Sequence, residues 1–242
     1  MDTNSSPANP VGSPAGPGPS ALGGSSGAGG SSGQGGSSGQ GGTSGSAADS
    51  RSGASPAQRG QRVSVFGSAR LREDSPDWET AVELGRLLAT VGFTVVTGGY
   101  GGLMEAVSRG AAEAGGHVVG LAMQSWTNLS PNSWNTELAW ADGYPARLAA
   151  MLECHAVVAL AGGVGTLSEL AVVWAARQTE PGHCPIVLVG ERWRRLVDEF
   201  ARHLVIDSRD LSLVHVVDSP AQAVDAVLSA LNQQGPAPQP RG

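Results

Sequence analysis

From residue 62 onward, short β-branched runs alternate with longer stretches of helical spacing. The runs are RVSVF (62–66), FTVVT (93–97), HVVGL (117–121), AVVAL (156–160), PIVLV (185–189) and LVHVV (213–217). Helical spacing covers 76–90, 103–114, 145–153, 166–178, 191–204 and 220–232. Ser75-Pro76 supplies an N-cap and first-turn pair for the first helix, and Gly92 stands past its end. The apolar runs are continuous rather than alternating, as in strands buried on both faces. This pattern specifies an α/β, Rossmann-like, doubly wound domain over 61–233, a parallel sheet between two helical layers. Strand order is not legible.

Residues 122–144 break the alternation. They hold Trp126, Trp134 and Trp140 without a clear helical period, and TELAW (136–140) has the makings of one more short strand. Two readings stand. Rings anchoring a long crossover or a subunit interface are the commoner case for tryptophan. A lid over a flat aromatic ligand is the functional alternative.

Composition excludes several classes. The first sixty residues hold 17 glycines, 15 serines and no aromatic side chain, and 25–42 repeat one hexad as SSGAGG, SSGQGG, SSGQGG. Such a stretch has too little apolar surface to offset its ordering entropy, so 1–60 is expected to be a flexible tail, as is 234–242. It also lacks the basic start and apolar centre of a secretory signal. A net charge of −6 argues against nucleic acid as a partner. No apolar run is long enough to span a membrane. Two cysteines make no disulfide scaffold, which points to a reducing, cytoplasmic setting. The Cys154-His155 and His183-Cys184 pairs match no zinc spacing, so no metal is expected. All 15 basic residues are arginine. Without lysine there is no Schiff base, hence no ordinary pyridoxal phosphate chemistry, and no Walker A loop.

Three turns after expected strands are rich in glycine: Gly67-Ser68, Gly98-Gly99-Tyr100-Gly101-Gly102, and Gly162-Gly163-Val164-Gly165. In parallel sheets ligands sit beyond the carboxyl ends of the strands, where glycine admits an anion and helix N-termini offer free N–H groups. Neither the dinucleotide fingerprint nor a nucleophile elbow is matched. The turns point to a mononucleotide or sugar phosphate held without a required metal. Thr166-Leu167-Ser168-Glu169 has the pattern of a capping box, with threonine as N-cap and glutamate at N3. Spacing alone does not separate a capping Glu169 from a catalytic one.

The stretch Gly162-Gly163-Val164-Gly165-Thr166-Leu167-Ser168-Glu169 resembles the P-G-G-x-G-T-x-x-E signature of the LOG family. Members of that family are cytokinin riboside 5′-monophosphate phosphoribohydrolases. Thr97 through Met104 resembles the second signature of the family, and Gly67-Ser68 stands at its Gly-Ser turn. The resemblance spans about 62–218. It implies hydrolysis of the N-glycosidic bond of a nucleoside 5′-monophosphate, giving free base and ribose 5-phosphate without a cofactor. It further implies Glu169 and Arg147 as catalytic residues, a phosphate held by the glycine turns and Thr166, and a homodimer. Ala161 replaces the proline of the signature, Leu148 follows Arg147, and Glu105 follows Met104, where plant-type members differ. GGLMEAVSRGAAEAGG resembles a bacterial branch of the superfamily. Molybdenum cofactor carriers share the fold without turnover, so a non-catalytic carrier of a phosphorylated ligand is the alternative.

Overall fold

The computed structural model describes residues 60–179 and 184–233. Apart from Gly60, the stretches expected to be tails lie outside these residues. In chain order the elements are β1 (Arg62–Phe66), α1 (Pro76–Thr90), β2 (Thr94–Thr97), α2 (Leu103–Glu113), β3 (Val118–Met123), β4 (Glu137–Ala141) and α3 (Tyr144–Leu152). Then come β5 (Ala156–Ala159), α4 (Val164–Thr179), β6 (Ile186–Val189), α5 (Glu191–His203), α6 (Ser208–Leu211), β7 (Val214–Val217) and α7 (Pro220–Gln233).

Local chemistry explains the clearest helix. Ser75 is extended and its hydroxyl accepts from the Asp77 N–H at 3.3 Å, with Pro76 opening the first turn. Trp78, Ala81, Leu84 and Leu88 recur at three and four residues and are all buried. The helix closes on Gly92 at φ 95°, while the Gly92 and Phe93 N–H groups return to the Ala89 and Leu88 carbonyls.

The strands form one sheet in the order β4-β3-β2-β1-β5-β6-β7, and every pairing is parallel. The domain is therefore the expected Rossmann-like α/β fold. One face of the sheet packs on α1, α2 and α7 through Leu84, Leu103, Val107 and Val227. The other packs on α3, α4 and α5 through Met151, Leu170, Trp174 and Trp193. β1 serves both: Val63 and Val65 join the first core and Phe66 the second, while buried Ser64 donates to the Met151 carbonyl at 2.9 Å. Strand order runs outward from β1 to β4 on one side and from β5 to β7 on the other. The reversal falls between β1 and β5, the position where such sheets open a crevice.

One open reading is settled and two details differ from the expectation. TELAW does contribute a strand, β4, as an edge strand with Leu138 and Trp140 exposed. A four-residue helix, α6, is added, opened by an Asp207–Asp210 capping box. Finally, α4 begins at Val164 rather than Thr166, because the Gly163 carbonyl already accepts the Leu167 N–H at 2.9 Å. Thr166 and Glu169 therefore lie inside the helix, and the capping box expected there is not formed.

Candidate functional site

The three glycine turns follow β2, β1 and β5, which are neighbours in the sheet, so they meet on one edge. A cleft of about 400 Å³ opens there. Of the residues expected to act together, Gly67, Ser68, Met104, Arg147, Gly163, Gly165, Thr166 and Glu169 line it. Gly98, Gly99, Gly101, Gly102 and Gly162 do not.

Most of those five have a packing reason to be glycine. A Cβ on Gly98 would stand 2.2 Å from Arg147 Nη2 and 2.5 Å from Met104 Sδ. Gly98 thus makes room for the guanidinium. Gly102, at φ 72°, brings its Cα against the Ser68 carbonyl, which accepts the Leu103 N–H at 2.8 Å. Gly99 lies against Gly120, and Gly162 lies beneath the Thr166 side chain. Gly163 and Gly165 are different. A Cβ on either would meet no atom of the chain within 4 Å, so both face open space at the first turn of α4. The free N–H groups and dipole of that turn make it a place for an anion.

Arg147 and Glu169 form the floor. Arg147, on α3, is 3 % exposed and Glu169, in the second turn of α4, is 8 % exposed. Arg147 Nη1 donates to Glu169 Oε1 at 3.3 Å, Nε to the Leu121 carbonyl at 2.8 Å and Nη2 to the Gly98 carbonyl at 3.4 Å. The guanidinium also lies 5.3 Å from the Trp126 ring centroid. Burial pushes the Glu169 carboxyl above the ordinary carboxylate range, and the Arg147 charge pulls it partly back. The result is a carboxylate at the bottom of a cleft with one oxygen tied to a fixed cation.

The three tryptophans have separate fates. Trp126 is half-buried and lines the cleft, 5.4 Å from the Tyr100 ring. Trp134 lies beneath Arg109, and Trp140 is exposed on the edge strand. The segment before β4 is fastened to the glycine turn after β2. Asn132 Nδ2 donates to the Gly99 and Tyr100 carbonyls, and Asn135 Nδ2 to the Gly99 carbonyl, at 2.8–3.1 Å.

Ala69, Arg70, Tyr144 and Val164 also line the cleft and were not singled out in the sequence. Tyr144 stands three residues before Arg147, one turn away on the same helical face, and that spacing was a usable signal. Its hydroxyl hydrogen-bonds Ser168 Oγ at 2.5 Å, joining α3 to α4. Among the described residues no group of three or more histidine, cysteine, aspartate or glutamate side chains is placed to hold a metal ion. His183 lies outside them. No helix among the described residues is long and apolar enough to cross a membrane.

The model of the SLOG cluster4 family matches residues 61–223. The chain belongs to that family. Its match takes in all three glycine turns, Arg147 and Glu169. This SLOG chain is 26 % identical over 148 residues to an uncharacterised protein of Archaeoglobus fulgidus, covering 61 % of the chain and 96 % of that protein. It is 37 % identical over 126 residues to the cytokinin riboside 5′-monophosphate phosphoribohydrolase LOG of Oryza sativa subsp. japonica. That match covers 48 % of the chain, which spans half the length of the rice protein. Among solved structures it is similar to the molybdenum cofactor carrier protein of Chlamydomonas reinhardtii. The TM-score is 0.57 and the identity 29 %, over 72 % of this chain and 99 % of the other. Membership of the LOG-like superfamily agrees with the two signature stretches.

Proposed function

We propose that the cleft binds a nucleoside 5′-monophosphate and hydrolyses its N-glycosidic bond, releasing free base and ribose 5-phosphate. The observation that carries this reading is the buried Arg147–Glu169 pair, set beneath the open first turn of α4 in one cleft. Phosphate is held at that turn by the Gly163, Gly165 and Thr166 region, with Gly67 and Ser68 opposite. Cleavage of the glycosidic bond develops positive charge on the sugar, and the Glu169 carboxylate stabilises that charge or activates water at C1′. Arg147 commits three of its five N–H groups to Leu121, Gly98 and Glu169. Its role is to hold Glu169 ionised and aimed, and its remaining N–H groups face the ligand. The similarity to a rice phosphoribohydrolase supports this reading.

The functional unit is a homodimer in this reading. The outer face of α4 exposes Ala171, Val172 and Ala175. It continues into an apolar groove of about 460 Å³ that includes Trp174, Leu204 and Val205. Apolar surface of this kind suits a second copy.

A second reading is a non-catalytic carrier of a phosphorylated cofactor. It is favoured by the likeness to a molybdenum cofactor carrier protein, which extends over nearly the whole of that chain. Incubation with purine and pyrimidine monophosphates, isopentenyl-AMP included, separates the two. Free base and ribose 5-phosphate appear with wild type and not with Glu169→Gln under the first reading. No release from any nucleotide, with ligands still raising Tm, establishes the second.

A further inference from the structure

Cys154 and Cys184 are the only cysteines in the chain, and the fold brings them together on the sheet edge opposite the cleft. β5 and β6 are parallel neighbours, with Val157 against Ile186, and each cysteine stands two residues before its strand begins. Neighbouring strands run roughly 4.8 Å apart, so side chains on that edge can meet. The two Sγ atoms lie 3.7 Å apart, and both thiols are free. Cys184 is buried, and Cys154 is half-buried at the end of the segment that leaves α3. A disulfide holds its sulfurs about 2.05 Å apart, so closing the bond shortens the present 3.7 Å contact.

We infer that Cys154 and Cys184 are a site of reversible oxidative modification, closing to an intramolecular disulfide when the protein meets a peroxide. The Cys154 thiolate attacks one peroxide oxygen, the O–O bond breaks, hydroxide leaves, and Cys154 becomes a sulfenic acid. Cys184 then attacks the sulfenic sulfur. The S–S bond forms, the S–O bond breaks, and the Cys184 proton leaves with the departing oxygen as water. Two thiols are oxidised by two electrons and one peroxide is reduced to two waters. Cys154 is the thiol suited to the first attack. The neighbouring Cys184 thiol holds Cys154 below the ordinary thiol range, while Cys184 itself is pushed up. The bond closes the stretch between residues 154 and 184, which contains β5, the glycine turn and α4 with Glu169. Oxidation therefore ties together the two ends of the unit that carries Glu169, and it constrains the unfolded chain.

With two cysteines the test is direct. The reduced full-length chain is treated with hydrogen peroxide, and free thiols, intact mass, a non-reducing tryptic map and Tm are read together. Both thiols are expected to disappear in step with the loss of two hydrogens. Peptides 148–177 and 178–192 are then linked, and thiol reductant reverses the change. Tm should rise by roughly a few degrees on oxidation, and this rise should be absent in both Cys154→Ser and Cys184→Ser. Addition of oxygen to either cysteine without a link, linkage between two chains instead of within one, or thiols that survive the peroxide would each overturn the proposal.

Discussion

Arg147 and Glu169 face each other at 3.3 Å from two different helices, both nearly out of water, under a helix turn whose glycines face empty space. Breaking such a pair costs more than making it returns, because the surviving charge stays buried. That asymmetry gives each partner its own measurable consequence.

Under the proposed hydrolase reading, the consequence for Glu169 is in turnover. Glu169→Gln keeps the shape and the hydrogen-bonding oxygen but removes the charge that the oxocarbenium-like state needs. Nucleotide hydrolysis should fall by roughly 100-fold or more, while ligand affinity measured by calorimetry stays within a few-fold. Comparable loss of both would show that Glu169 positions the ligand instead.

The pH dependence follows from the raised carboxyl pKa. Under the proposed hydrolase mechanism the ionised form is the active one, so kcat should decline as pH falls through a value above the ordinary carboxylate range. Stability runs the other way. The folded state holds this proton more tightly than the unfolded state. The group's contribution is therefore full below the unfolded carboxyl pKa and is lost as pH rises through the folded one. Urea titrations across that window should show a slope in wild type that Glu169→Gln flattens.

For Arg147 the consequence is in folding. Arg147→Ala leaves the Glu169 carboxyl buried without its cation and the Leu121 and Gly98 carbonyls without a donor. A destabilisation of about 3 kcal/mol or more is expected in chemical denaturation. The double variant with Glu169→Gln should recover part of it. Simple additivity of the two changes would mean that the pair is not coupled.

What the sequence makes legible here is local. The β-branched runs locate the strands, and Ser75, Pro76 and Gly92 bound α1, because each signal is complete within a few residues. The site depends on distant partners. Arg147 finds its acceptors 22, 26 and 49 positions away, and Asn132 and Asn135 pin the tryptophan segment to a turn more than 30 positions earlier. Nothing in periodicity encodes such pairings. Thr166-Leu167-Ser168-Glu169 misled for a related reason. The capping pattern was present, but the Gly163 carbonyl had already opened the helix, leaving Glu169 free to turn toward Arg147. At Asp207-Ser208-Arg209-Asp210 the same kind of signal was present and did mark a helix start.

Two glycines separate packing from ligand binding. Gly165 lies in the first turn of α4, where an added Cβ would meet nothing within 4 Å, so Gly165→Ala should leave stability unchanged or raise it by up to about 1 kcal/mol. If the turn holds phosphate, the added methyl intrudes on it, and monophosphate affinity should drop by roughly ten-fold or more. Gly98→Ala should fail differently, because its methyl meets Arg147 and Met104. Stability and turnover should fall together there. Unchanged affinity in Gly165→Ala would move the anion away from this turn.

The proposed homodimer is tested on the outer face of α4. Val172 is 38 % exposed, and Ala171 and Ala175 flank it on the same side of the helix. A charge placed there meets only water in a monomer but is desolvated and unpaired between two copies. Light scattering should give twice the chain mass for wild type and the single mass for a Val172→Glu, Ala175→Glu variant, with near-native Tm at low concentration. The first turn of the same helix contributes to the cleft, so loss of dimer should weaken nucleotide binding as well. A wild type that scatters as a monomer at every concentration would reduce this face to ordinary exposed surface.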